Sequence, residues 1–133
     1  MNAASDTTLG LDLSTLDRSF TTLLTTFRRD GRGVGTAVHV AVEDGRAYFR
    51  TWHTTGKLKR IRRNPHVTVA PATFRGEPTG PARAARVRIL DGDEAKRAAA
   101  ALGHRYPVIH SWLIPLFHRL RGYRTVHLEI VPE

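Results

Sequence analysis

The sequence predicts a mainly β fold with short helices (α+β), a six-stranded antiparallel barrel, and three patterns carry that expectation. Two Asp-Gly pairs, Asp30-Gly31 and Asp44-Gly45, sit between β-branched and aromatic runs, a strong short-range signal for hairpins. Two later runs alternate apolar with charged residues, which gives each strand one buried face. No strand–helix–strand rhythm of a parallel sheet is visible. A chain of 133 residues with 41% apolar content suits a single domain with one core.

Residues 1–13 read as a flexible N-terminal segment, and 14–133 as one domain. Ser14-Thr15-Leu16-Asp17 resembles an N-cap and its following acid, the start of a short helix. Thr21–Arg29, Val34–Val42 and Ala47–Thr51, joined by the two Asp-Gly turns, predict a three-stranded meander. A helix over about Gly56 to Arg63 interrupts the strands, and Asn64-Pro65 ends it, because the residue before proline is pushed out of the α region. Val67–Ala72 is the fourth strand, and Gly76–Pro81 is a loop by composition. In the fifth, Ala85, Val87 and Ile89 face inward and Arg86 and Arg88 face water. Asp91-Gly92-Asp93 caps a helix over Glu94–Leu102, closed by Gly103. Ile109, Trp112, Leu113, Leu116, Phe117 and Leu120 have helical spacing, with a break expected near Ser111 because Pro115 cannot donate its backbone hydrogen bond. Val126, Leu128 and Ile130, alternating with His127 and Glu129, make the sixth strand.

Charge narrows the partners. A formal charge of +9 calls for an anion: nucleic acid, a membrane surface or a polyanionic small molecule. There is no cysteine, which excludes disulfides, thiolate metal sites and thiol catalysis. Residues 1–13 show neither a basic nor an apolar leader region, and the apolar stretch Trp112–Leu120 is too short to span a bilayer. The default expectation is a soluble cytoplasmic protein without membrane insertion. The seven histidines include no zinc-protease spacing, so no metal site is expected.

The cations concentrate in Lys57-Leu58-Lys59-Arg60-Ile61-Arg62-Arg63, where five of seven residues are basic. Leu58 and Ile61, three apart, would bury one helix face and fan the cations over the other. The run follows Thr51-Trp52-His53-Thr54-Thr55-Gly56, so a hydroxyl and glycine loop feeds a helix N-terminus, where free N–H groups and the helix dipole favour an anion.

Together with Thr25 to Arg32, Val34 to Val38 and Ala70 to Gly76, this joined pattern resembles the split β-barrel, FMN-binding-like proteins related to pyridoxamine 5′-phosphate oxidase. Within them it is similar to the small actinobacterial branch that uses the deazaflavin coenzyme F420. The resemblance covers about residues 14 to 131. In the FMN-using relatives the second strand supplies an arginine and a lysine to the flavin phosphate, and the matching positions here are Gly35 and Val40. FMN is therefore the less expected coenzyme, and Ala37 stands where the family often has proline.

The resemblance implies an F420-dependent reductase that passes a hydride between the deazaflavin and a small organic acceptor, the coenzyme bringing the reactivity. It implies that Thr36, Ala37 and Val38 line the ring edge, and that Thr51, Thr55 and Gly56 meet the phosphate. Lys57 is the leading phosphate cation, with Arg60, Arg63 and Arg75 on phosphate or poly-glutamate tail. The proton donor is open, with His53 and Tyr123 as candidates. Family members are usually homodimers. The alternatives are a non-catalytic module holding deazaflavin, FMN or haem on the same barrel, and a nucleic-acid-binding domain; few aromatics interleave the basic run, which disfavours the latter.

Overall fold

Both Asp-Gly pairs turn the chain as expected. Asp44 and Gly45 take positive φ of 53° and 74°, the pair of left-handed residues that a two-residue hairpin needs, and Gly31 has φ 88°. The computed structural model of the chain describes residues 10–107, 116 and 124–133. Its elements are α1 (Leu13–Arg18), β1 (Thr21–Phe27), β2 (Gly33–Val38), β3 (Ala41–Glu43), β4 (Arg46–Trp52), α2 (Gly56–Arg63), β5 (His66–Ala72), β6 (Arg83–Leu90), α3 (Gly92–Arg105) and β7 (Thr125–Pro132).

The described strands form one seven-stranded sheet in the order β2-β1-β5-β6-β7-β4-β3, with every neighbouring pair antiparallel. This corrects the six-strand expectation. The run Val34–Val42 is two strands, β2 pairing with β1 and β3 with β4, so the expected meander does not form. β2 and β3 lie at opposite ends of the pairing order, yet only His39 and Val40 separate them in the chain. The sheet must curl until its ends meet there, which makes it a barrel. Ladder pairing stops at this crossover, where the Val40 carbonyl accepts from Arg105 Nη1 at 2.6 Å instead.

The barrel interior is one cluster that includes Leu24, Val38, Phe49, Val69, Leu128 and Ile130. Leu16 of α1 and Leu58 and Ile61 of α2 join it, all at most 2% exposed, as the three-residue spacing of the last two predicts. A second cluster lies outside the barrel, where Ala98, Ala101 and Leu102 of α3 cover Tyr48 and Leu90. That cover explains a local departure in β6: Leu90 is buried and Ile89, expected inside, is 40% exposed. Arg86 is exposed as expected. Arg88 is exposed too, and from that face it bridges Glu94 of α3 and the buried Glu129 of β7.

Two helix ends also differ. α1 is capped by Asp12, whose carboxylate accepts from Ser14 N at 3.0 Å, rather than by Ser14. α3 runs through Gly103 to Arg105 instead of stopping at Leu102. A mid-helix glycine costs about 1 kcal/mol against alanine. Arg105, which donates to the carbonyls of Leu16, Ser19 and Val40, and Tyr106, whose hydroxyl donates to Phe20 O at 2.7 Å, outweigh it. Of the expected apolar helix at 109–120, only Leu116 is among the described residues, and it is 48% exposed; the break near Ser111 and Tyr123 lie outside them. Among the described residues no helix is long and apolar enough to cross a membrane, and no group of ligands could hold a metal.

Candidate functional site

α2 begins where the loop sequence says it should. Thr55 is its N-cap and Oγ1 accepts from Leu58 N at 3.3 Å. The same hydroxyl lies 2.9 Å from Thr51 Oγ1 and 3.2 Å from Trp52 O, so both threonines already have partners, and Thr51 is buried. Gly56 is exposed at the helix start; a Cβ there would come 3.0 Å from Arg60 Nη1.

Lys57, Arg60 and Arg63 follow one another at three-residue spacing. Arg60 Nε donates to Thr26 Oγ1 at 2.7 Å and Arg63 Nη2 to Phe27 O at 3.1 Å, which ties the helix to the end of β1. Lys57 is half-buried. Its ammonium is held below the usual lysine range by burial and, second, by the charge of Arg60.

Between α2 and the β1–β2 turn lies an open basin of about 450 Å³. Its cations are Arg28, Arg29 and Arg32 from the turn and Lys59, Arg60 and Arg63 from the helix, with Gly56 at its floor. The one acid lining it, Asp30, is held by Arg32 through Nε at 2.8 Å and the backbone N at 3.0 Å, and those bonds lower its pKa. Sequence reasoning missed Arg28, Arg29, Arg32 and Lys59 as site residues. Three arginines around an Asp-Gly hairpin tip were the available signal. Lys57 does not line this basin. On the other flank of the helix start, His53, Thr54 and Arg62 border a smaller recess of about 320 Å³. His53 Nδ1 lies 3.1 Å from Arg124 N and 3.3 Å from Arg124 O, which ties the ring to the residue before β7.

β2 leads away from the basin. It is an end strand of the sheet, paired with β1 alone. Strand alternation divides the three residues expected along a ring edge. Ala37 is exposed on the outer face with Gly33 and Gly35, whereas Val38 is buried and Thr36 Oγ1 is buried without a hydrogen-bond partner. The glycines make room for side chains of β1 that lean across this face: a Cβ at Gly33 would come 2.8 Å from Thr25 Cγ2, and one at Gly35 3.2 Å from Leu23 Cδ1. Val40 is 1% exposed, a core residue out of reach of any phosphate.

Arg75 does not join the other cations. It belongs to the turn after β5, whose Thr73 carbonyl accepts from Thr21 Oγ1 at 2.6 Å, at the first residue of β1. Arg60 and Arg63 bind the last two, Thr26 and Phe27, five and six residues and roughly 17–20 Å away along the strand. Around Arg75 the rings of Phe20, Phe74, His39 and Tyr106 meet in edge and stacked contacts. Burial, then Arg105, holds the His39 imidazole below its usual pKa.

No protein-family model matches the chain, and no curated protein matches it. Solved structures do. HutZ, the haem storage protein of Vibrio cholerae, superposes with a TM-score of 0.68 at 16% identity, covering 91% of this chain and 87% of that one. A candidate pyridoxamine 5′-phosphate oxidase from Listeria innocua gives 0.60 at 18%, covering 91% and 90%. A conserved hypothetical protein from Mycobacterium tuberculosis gives 0.61 at 22%, covering 98% and 80%. At these identities the likeness establishes architecture, and the chain has the fold of the split β-barrels to which the haem-storage and pyridoxamine-phosphate-oxidase-like proteins belong.

Proposed function

We propose that the protein is a cytoplasmic oxidoreductase that binds coenzyme F420 along the outer face of β2 and passes a hydride between it and a small organic acceptor. One observation carries the reading: an exposed end strand, with no side chain of its own at Gly33 and Gly35 and only a methyl at Ala37, runs directly into a basin of six cations. A flat ring on an anionic, carboxylate-bearing tail fits that sequence of surfaces. The guanidinium groups can pair phosphate or carboxylate bidentately. FMN fits less well, since Gly35 offers no cation and Val40 is sealed in the core.

When bound, the reduced deazaflavin supplies the hydride; the chain supplies position and field. Arg28, Arg29, Arg32, Lys59, Arg60 and Arg63 hold the tail. Lys57, behind the basin, adds charge at short range without lining it. Thr51, Thr55 and Gly56 set the start of α2. No residue is assigned as proton donor, and a second copy of the chain is the expected partner across the strand face.

The likeness to a haem storage protein keeps a second reading in view, a haem or flavin carrier on the same barrel without turnover. Fluorescence titration separates them. Deazaflavin is expected to bind at about micromolar or tighter, with FMN at least about tenfold weaker. Lys59→Ala combined with Arg32→Ala should weaken deazaflavin by about tenfold and flatten its salt dependence, more than Lys57→Ala does. FMN binding as tight as deazaflavin would refute the assignment, and haemin binding tighter than either would favour the carrier.

A further inference from the structure

At the end of β2 remote from the cationic basin, two large apolar side chains face water. Phe20 is 50% and Phe74 69% exposed. They contact each other edge-on, with centroids 6.3 Å apart and planes at 83°. Phe20 is backed by His39 at 5.6 Å and Tyr106 at 6.0 Å. A phenylalanine on a loose loop needs no explanation, but this one is fixed. Thr73 Oγ1 accepts from the backbone N of Arg75 and of Glu77, Gly76 N donates to Thr73 O at 2.8 Å, and Thr73 N donates to Glu77 O at 2.9 Å. The turn also abuts β2: a Cβ on Gly76 would come 3.1 Å from Ala37 Cβ. Above the Phe74 ring, 5.9 Å from its centroid, lies the guanidinium of Arg75, which makes no ion pair among the described residues.

We infer that Phe20, Phe74 and Arg75 form a binding subsite for a flat, conjugated carboxylate. The two rings give a right-angled apolar corner in which a planar molecule stacks on one ring and meets the edge of the other. Arg75 supplies the complementary charge and fixes orientation by pairing the carboxylate. The corner is contiguous with Ala37, so a molecule held there lies beside the strand face proposed for the coenzyme. Its role as the acceptor subsite rests on that proposal; its capacity to bind does not.

The probe is 2-naphthoate, measured by calorimetry and saturation-transfer NMR on the full chain, with 2-naphthalenemethanol as its uncharged counterpart. Naphthoate is expected to bind at about 100 µM. Phe74→Ala should weaken it by about tenfold, and Arg75→Ala by about fivefold while leaving the alcohol unaffected. Both residues are exposed, so neither variant should disturb folding. Naphthoate binding that neither substitution changes, or no binding at millimolar concentration, would overturn the subsite. So would a Phe74→Ala variant that halves the particle mass while naphthoate does not, since the corner would then be a contact between copies. Deazaflavin affinity, followed separately, should be the same in both variants. A wild-type protein that binds naphthoate but not deazaflavin would leave the subsite standing and remove the coenzyme assignment; the reverse would do the opposite.

Discussion

His127 sits on β7 directly across from Arg50 of β4, so protonating the imidazole would set two cations side by side. Burial, with the Arg50 charge second, pushes the imidazole pKa down to about 4, and its Nε2 is buried without a hydrogen bond. The neutral form is therefore the folded form. Between pH 6.5 and 4 the unfolded chain takes up a proton at this histidine that the folded chain does not. Stability from this residue is thus complete above pH 6.5 and is lost as pH falls toward 4. Allowing for solvent screening of a half-buried group, the loss is on the order of 1–2 kcal/mol. Urea unfolding across that window should show a steeper slope in the wild type than in His127→Gln, which keeps only the smaller contribution of the other half-buried histidine, His39. The exposed pairs His66–Glu133 and His104–Glu43 persist in the variant, so the difference isolates His127. Parallel pH profiles in the two proteins would mean that His127 is protonated in the fold.

Helix α2 shows what one short element contributes when its cap, buried face and charges agree. Thr55→Ala removes the bond to Leu58 N and the partner of the buried Thr51 hydroxyl, and should cost about 1–2 kcal/mol in chemical denaturation. Thr55→Ser, which keeps the oxygen, should recover most of it; equal losses in both variants would assign the effect to the methyl group. This helix was legible in the sequence because every signal is local: Thr55 before it, Leu58 and Ile61 three apart, Asn64-Pro65 after it. The basin beside it was only half legible. Arg60 and Arg63 of its helical cations were read and Lys59 was not, while those at the β1–β2 turn reach it through pairing set elsewhere in the sheet. Arg75, close to the basic run in sequence, is parted from it by the length of β1. The break in Val34–Val42 could not be read at all, because Val34, Thr36, Val38, Val40 and Val42 keep strand alternation straight through the crossover.

Closure of the barrel depends on a group that no local pattern marks. His39 and Val40 join the two ends of the sheet, and a chain passing between strands leaves carbonyls without ladder partners. Arg105, at the last residue of α3, answers one of them, Val40, and donates as well to Leu16 and Ser19 at the end of α1. One guanidinium thereby ties α1, the crossover and α3, with Asp17 3.7 Å away. Arg105→Met keeps the apolar stem and the helix propensity but removes all three bonds, leaving Leu16 O with Ser19 N at 3.2 Å and Val40 O with the Tyr106 hydroxyl at 3.5 Å alone. The expected loss is about 3 kcal/mol, a fall in Tm of roughly 10 °C for a domain of this size. Arg97→Met, on the exposed side of the same helix, is the matched control and should stay within about 0.5 kcal/mol of wild type. Hydrogen exchange adds a spatial readout: amides of β2 and β3 should lose protection in Arg105→Met before those of β5 and β6, because the break opens at the meeting ends of the sheet. Uniform loss across all strands would show that the barrel opens as one unit, and a cost equal to that of Arg97→Met would show that closure does not depend on this guanidinium.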